Sequence, residues 1–193
     1  MNSKLLLFPI LVLLFNNNIY AQKSVSTNLK TDLKNELSVD FFNLMFNKYS
    51  LSYDRLYNDS ASYGMSISYS PKIVTVFDDF NYKEKFTLSI NHKFYFSNKK
   101  NQGFYFEGYL QYRYGEILNP YITNNLQNEP ERKNFGSLDA GINFGYKYVN
   151  KQNFFFDVKV GFAKRLTDFQ PSIKNYYTNP YRLNFSFGIG KRF

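Results

Sequence analysis

Beyond about residue 35 the chain reads as short runs in which bulky apolar side chains take every second position. The last run is the clearest. Tyr181, Leu183, Phe185, Phe187 and Ile189 fall on one face, and Arg182, Asn184, Ser186, Gly188 and Gly190 on the other. Successive side chains of a strand point to opposite sides, so such a run predicts a strand with one apolar and one polar face. The same split recurs over 154–166, 136–149, 103–116, 86–97 and 62–70. It is weaker around Leu37, Val39 and Phe41 and around Tyr49, Leu51 and Tyr53. The pattern predicts an all-β fold of eight antiparallel strands.

The connections sort by length. Asn58–Ser60, Asn98–Gln102 and Asn150–Asn153 are short, whereas 71–85, 117–135 and 167–180 are long and alternate with them. The first hairpin, near Asn47-Lys48, is short where a long loop would fit the alternation. Asn119-Pro120, Asn124-Asn125 and Glu129-Pro130 are strand breakers and predict a loop over 117–135. Short turns on one side and long loops on the other are the asymmetry of outer-membrane barrels, and an even strand number returns both termini to the short-turn side.

The first residues are set apart. Lys4 precedes an apolar run from Leu5 to Phe15, followed by a polar stretch ending in Ile19-Tyr20-Ala21. This order is that of a secretory signal peptide, with cleavage expected after Ala21. The run is too short to span a bilayer, which takes about 17–25 residues as a helix. The organisation expected is a leader over 1–21, a periplasmic segment over 22–34 and a barrel over 35–193. No later stretch is apolar enough for a transmembrane helix, so membrane residence requires a closed barrel, in which every backbone polar group is satisfied without water.

Composition sharpens this picture. The chain has 22 Phe and 18 Tyr, no Trp and no Cys, with a net charge of +9, yet its mean hydropathy is negative. Aromatics outside and polar groups inside a barrel reconcile the two. Tyr57, Tyr63, Tyr146 and Tyr148 fall toward the short-turn end, and Tyr49, Tyr69, Tyr112, Tyr114 and Tyr181 toward the long-loop end. Amphipathic rings prefer the headgroup level. Tyr53 is out of place in this belt. A soluble lipid-carrying barrel also alternates, with its apolar face inward. Here the apolar face is bulky and the other rich in Gly and Ser, which suits a crowded lumen. The absence of cysteine removes disulfides, thiolate metal sites and a lipidated N-terminal cysteine. The positive charge does not form a nucleic-acid-binding module, and no nucleic-acid partner is expected.

Parity assigns the lumen. Glu36, Asp40, Asp54, Glu107, Asp139 and Asp157 point inward with Lys93, Arg113, Lys147, Lys159, Arg165, Arg182 and Arg192. The two signs nearly balance, whereas an ion-selective pore would favour one. The expectation is a plugged, non-conducting bore held by paired charges. Lys23, Lys30, Lys34, Lys99, Lys100, Lys151, Lys191 and Arg192 gather at the short-turn rim, as contacts to anionic headgroups or as solubilising charges.

No catalytic machinery is expected. His92, the sole histidine, falls on the outer face near the short-turn end, with Met65, Ile67 and Leu110 expected beside it and no hydroxyl in reach. A packing histidine is the expectation, and a lipid-active enzyme the alternative. Asp78-Asp79 and Glu129–Glu131 are loop carboxylates, read as solvated charges rather than a cation site. No metal or cofactor is expected.

The opening Asn35-Glu36-Leu37-Ser38-Val39-Asp40, the following Tyr49-Ser50-Leu51-Ser52-Tyr53-Asp54, the segment Gly141–Lys147 and the closing Phe193 carry a resemblance. Over roughly 30–193 the chain resembles the small outer-membrane β-barrel proteins of Bacteroidota, OmpA- or OmpX-like eight-stranded barrels. The Ala21-Gln22 junction and the Asn/Lys-rich turns fit that origin. The resemblance implies residence in the outer membrane, contact with its lipids and assembly by the barrel-insertion machinery. It implies no catalytic residues. Phe185, Phe187, Ile189 and Phe193 alternate up to an aromatic end like an insertion signal, from which Lys191 departs. A cell-wall-binding domain beyond the last strand is not expected. The function expected is a monomeric, non-enzymatic barrel that presents loops 117–135 and 167–180 to an unknown surface ligand. A narrow channel is the alternative.

Overall fold

The computed structural model describes residues 34–71, 82–97, 100–123, 130–169 and 180–193. The expected leader, nearly all of the segment to residue 34, and Asp78, Asp79 and Glu129 lie outside them. The described chain forms β1 (Asn35–Asp40), α1 (Phe41–Met45), β2 (Tyr49–Asn58), β3 (Ala61–Tyr69), β4 (Tyr82–Tyr95), β5 (Gly103–Thr123), β6 (Pro130–Val149), β7 (Phe154–Asp168) and β8 (Tyr181–Arg192). Each strand pairs antiparallel with its sequence neighbours, and β1 pairs with β8, so the sheet is a closed eight-stranded up-and-down barrel. Closure pairs backbone groups that would otherwise lie bare on an edge strand.

Asparagine builds the turns. Among the described residues, the non-glycine residues with positive φ are Asn47 (56°), Asn101 (46°) and Asn153 (65°), and each sits in a connection. Asparagine tolerates the left-handed region because its short amide bonds to nearby backbone. Asn58 and Asn150 show this directly: Asn58 Oδ1 accepts from the Ser60 N–H, and Asn150 Oδ1 from the N–H groups of Gln152 and Phe154. The end holding the Asn58, Asn101 and Asn150 turns is called the turn end below, and the opposite end, which holds Asn47, the loop end.

Three local expectations are corrected. The first hairpin is not a plain turn: Phe41, expected on the outer face of a strand, opens α1. Asp40 ends β1 and caps the helix, its Oδ1 accepting from the Asn43 N–H at 2.8 Å. The loop over 117–135 is largely a continued hairpin, with Ile117 opposite Lys133, Leu118 opposite Arg132 and Asn119 opposite Glu131. Its prolines are accommodated because Pro130 opens a strand and Pro120 falls within the register shift between Asn119 and Thr123, positions where a missing N–H costs the ladder nothing. The first long connection is also shorter than expected, since β4 already begins at Tyr82.

Two glycines fix how the bore is filled. Tyr105 lies opposite Gly145 and Tyr109 opposite Gly141, all facing inward. Each tyrosine ring lies flat over its glycine, where a Cβ would overlap it. Replacing Gly145 by Ala therefore overpacks the lumen by one methyl group. This is expected to cost about 1–3 kcal/mol, read as a lower unfolding midpoint in detergent. The additional change Tyr105→Leu, which removes the ring edge, should recover part of the loss.

Candidate functional site

The lumen is the candidate site because it collects the buried charges of the strands. Lys147 is 0% exposed and Arg113 1%. An isolated buried charge is expensive, so each must be paired. The pairs form two tiers.

The tier nearer the turn end is a continuous chain of ion pairs. Arg192 meets Glu36 at 2.6 Å, and Glu36 meets Lys147 at 2.6 Å. Lys147 lies 4.0 Å from Asp157, which lies 3.6 Å from Lys93. Lys93 bonds Asp54 at 2.7 Å and lies 3.7 Å from Glu107, which takes Lys159 at 3.0 Å. Glu36, Asp54, Asp157 and Glu107 thus balance Arg192, Lys147, Lys93 and Lys159. Neutral groups complete the shell. Tyr105 donates to Asp157 at 2.5 Å, Asn143 to Glu107 at 2.6 Å, and Lys147 to the Tyr95 hydroxyl at 2.7 Å. The Lys147 ammonium also lies over the rings of Tyr95 and Phe155, at 5.2 and 4.9 Å from their centroids. Leu56 and Ala61 are buried alongside them.

The tier nearer the loop end is organised by Glu84. Its carboxylate takes Lys48 at 2.5 Å and Arg182 at 3.1 Å, lies 3.7 Å from Arg113 and accepts from the Thr87 hydroxyl. Arg113 pairs with Asp139 at 2.5 Å, and Arg165 stands opposite Asp139 in the β6–β7 register. Lys48 and Arg182 retain about a quarter of their exposure (25% and 22%), as Lys159 does in the first tier (25%), while Arg113 and Asp139 are fully buried. Between the tiers lie hydroxyl and amide contacts, among them Ser66 to Ser89, Ser50 to Ser68, and Asn184 to Tyr109.

The parity-assigned residues divide as follows. Glu36, Asp54, Lys93, Glu107, Lys147, Asp157 and Lys159 come together in the first tier. Arg113, Asp139 and Arg182 come together in the second, with Arg165 beside them. Asp40 is drawn off as the cap of α1. Glu84 and Lys48 were not foreseen. Strict alternation places Glu84 outside, but the register between Glu84 and Phe86 shifts, with Glu84 opposite Gly115 and Phe86 opposite Tyr114. Lys85 is the extra residue, and the bulge turns Glu84 inward. Tyr95, Tyr105 and Tyr109 are also members. The signal for the last two was in the sequence, as two tyrosines four apart matched by Gly141 and Gly145 on the next strand.

Outside the lumen, His92 is not beside Met65, Ile67 and Leu110 as expected. It stands opposite Tyr63 on β3 and Gly108 on β5. Its Nε2 shares a 2.7 Å hydrogen bond with the Tyr57 hydroxyl, and its ring packs on Tyr57 and edge-on to Phe94. A hydroxyl is therefore in reach, but it belongs to an exposed phenol. Among the described residues no group of three His, Asp or Glu could hold a metal ion. At the turn-end rim, Lys100 pairs with Asp59, Lys191 lies over the Phe154 ring, and Arg192 turns into the lumen toward Glu36. The displaced Tyr53 donates to Asn35 Oδ1 at 2.8 Å. On β8, Phe185 and Ile189 are exposed, as is Phe193, while Phe187 is half-covered by Phe41 and Phe156.

The tiers predict unequal costs for charge removal. Glu107→Ala should leave Lys159 and Lys93 short of a counter-charge inside the bore, at a cost of roughly 3–5 kcal/mol. Lys151→Ala, at an exposed turn, should leave the detergent unfolding midpoint within error. Equal midpoints for the two variants would contradict the role given to the tier.

No family model matches the chain, and no curated protein does. Among solved structures, the N-terminal β-barrel domain of Pseudomonas aeruginosa OprF is similar, at 14% identity and a TM-score of 0.48, covering 83% of this chain and 98% of that domain. At those values the likeness carries no argument about function, and the architecture rests on the chain's own strand pairing.

Proposed function

We propose that the chain is a non-enzymatic integral outer-membrane barrel with a closed polar bore, and that its role is structural or lies in what the loop end presents to the surroundings. One observation carries this reading: the polarity of the barrel is inverted relative to a protein that folds in water. On β2 to β8 most of the large apolar side chains point outward and are exposed, with Phe104 at 69% and Leu183 at 88%, while the buried charges are inside. Soluble monomers rarely expose a contiguous apolar patch beyond a few hundred Å². A belt of Leu, Ile, Val, Met and Phe running around the wall suits hydrocarbon, and tyrosines at both ends suit the headgroups. A soluble carrier barrel would require the opposite arrangement.

No helix among the described residues is long and apolar enough to cross a membrane, so crossing would be by strands. The turn end then faces the periplasm and the loop end the outside. The leader over 1–21 would direct export, and Phe185, Phe187, Ile189 and Phe193 would present the closing strand to the barrel-insertion machinery. Outer-membrane lipids are the constant partners of a monomer in this reading.

The first-tier ion pairs support a bore that does not conduct. Purified protein in planar bilayers is expected to give no stable single-channel steps. Reproducible conductance would replace this reading with that of a narrow channel. The orientation is tested separately. An epitope inserted at Asn125 should be labelled on intact cells, and labelling only after lysis would reverse the assignment of inside and outside.

A further inference from the structure

The closing seam of the barrel is incomplete. Asn35 and Phe193 exchange backbone hydrogen bonds of 2.9 and 2.8 Å, so the odd-numbered residues of β8 turn their backbone groups toward β1. Lys191 and Ile189 continue the ladder opposite Leu37 and Val39. Phe187 would next meet Phe41, but Phe41 has already entered α1. Among the described residues no strand pairs with Leu183, Phe185 or Phe187 on this side.

The gap has a height. β1 has 6 residues. At about 3.3 Å per residue and a tilt of roughly 40°, it spans only about 15 Å of an apolar band about 25 Å tall. Above Asp40 the wall is α1 instead of sheet. Irregular backbone at membrane depth is tolerated only where protein buries it or a wet cavity lies behind it. The helix has two unlike sides. Phe41 packs edge-on to Phe187 and Phe42 edge-on to Phe185, on the outer face. Asn43 turns inward and donates to Ser50, which bonds Ser68. Three residues after α1, Lys48 crosses to Glu84 of the second tier. Aromatic packing outside, with the Asn43–Ser50 hydrogen bond and the Lys48–Glu84 ion pair inside, holds the segment, and no sheet pairing joins it to β8.

We propose that this gap is a lateral port, with α1 as its door and the Lys48–Glu84 pair as its latch, through which a single-chain amphiphile of the outer leaflet reaches the loop-end lumen. The lining fits such a ligand. A hydrocarbon chain stays against Phe41, Phe42, Phe185 and Phe187, while the head meets Asn43, Ser50, Ser68 and the cations of Lys48 and Arg182. The proposal rests on the membrane reading above and goes beyond it, since the first tier closes the axial path and leaves the lateral one.

The chain has no cysteine, so Ser50→Cys places one thiol behind the door and Ser89→Cys places one behind complete wall, where β4 pairs on both sides. Both proteins are inserted into phosphatidylcholine vesicles and treated with N-dodecylmaleimide, which partitions into the bilayer, or with a charged maleimide confined to water. The dodecyl reagent is expected to modify the residue-50 thiol about tenfold faster than the residue-89 thiol, as for a door open in a minor population. Adding Lys48→Met should raise the residue-50 rate further and leave residue 89 unchanged. Equal, slow lipid-side modification at both positions in inserted protein overturns the port and leaves the membrane reading standing. So does modification of residue 50 by the charged reagent alone. Protein that does not float with the vesicles overturns both. If the Lys48→Met variant does not fold, the comparison of residues 50 and 89 with the latch intact decides by itself.

Discussion

A strand satisfies only half of its backbone hydrogen-bonding groups with one neighbour, so a single-layer sheet without a covered edge must close on itself. The rest of this structure follows from that closure. It is made between β1 and β8, where Glu36 stands opposite Arg192 in the register and also pairs with it through side chains. Closing eight strands fixes the bore at a width that side chains can fill and little more. The inward face must then be small where the opposite wall is large, and charged only where a counter-charge lies within reach. Tyr105 over Gly145 meets the first condition. The chain of pairs from Arg192 through Glu36, Lys147, Asp157 and Lys93 meets the second. The outer face has no such constraint, and the sequence there is free to be uniformly bulky.

The strand count, the direction of each face and most of the lumen were legible, because alternation is a local property and parity propagates along an unbroken strand. What was not legible lies where parity is interrupted. The bulge at Lys85 turns Glu84 inward, and no pattern in residues 82–87 announces it, since a bulge is settled by the register with β5. The early end of β1 depends on Asp40 capping a helix whose Phe41 and Phe42 are paid for by rings on β8, a contact far away in sequence. In the β5–β6 hairpin the breakers were read correctly as residues but wrongly as an ending, because Pro120 falls in a register shift and pairing resumes at Thr123. For His92 the outer face was right and the neighbours wrong, since those depend on a strand register that spacing alone does not fix.

The two tiers differ in kind. Nearer the turns, acids and bases are matched, and the Tyr95 and Tyr105 hydroxyls bond to members of the chain of pairs. Nearer the loops, one carboxylate holds cations from three separate elements: the α1–β2 connection, β5 and β8. That second arrangement ties separate elements together, and the irregular segment of the wall is anchored there.

The seam also sets the order of events during folding. The Glu36–Arg192 contact joins residues 156 apart in sequence, whereas the hairpins join immediate neighbours. Loop-closure entropy makes such distant contacts slow to form, and rates fall as they come to dominate. The hairpins can therefore form early, but the ring cannot shut until nearly the whole barrel sequence is in place. Until then the chain is an open curl with two sticky edges. Its lifetime in that state, more than the stability of the finished ring, determines how much of it reaches the native form before aggregating.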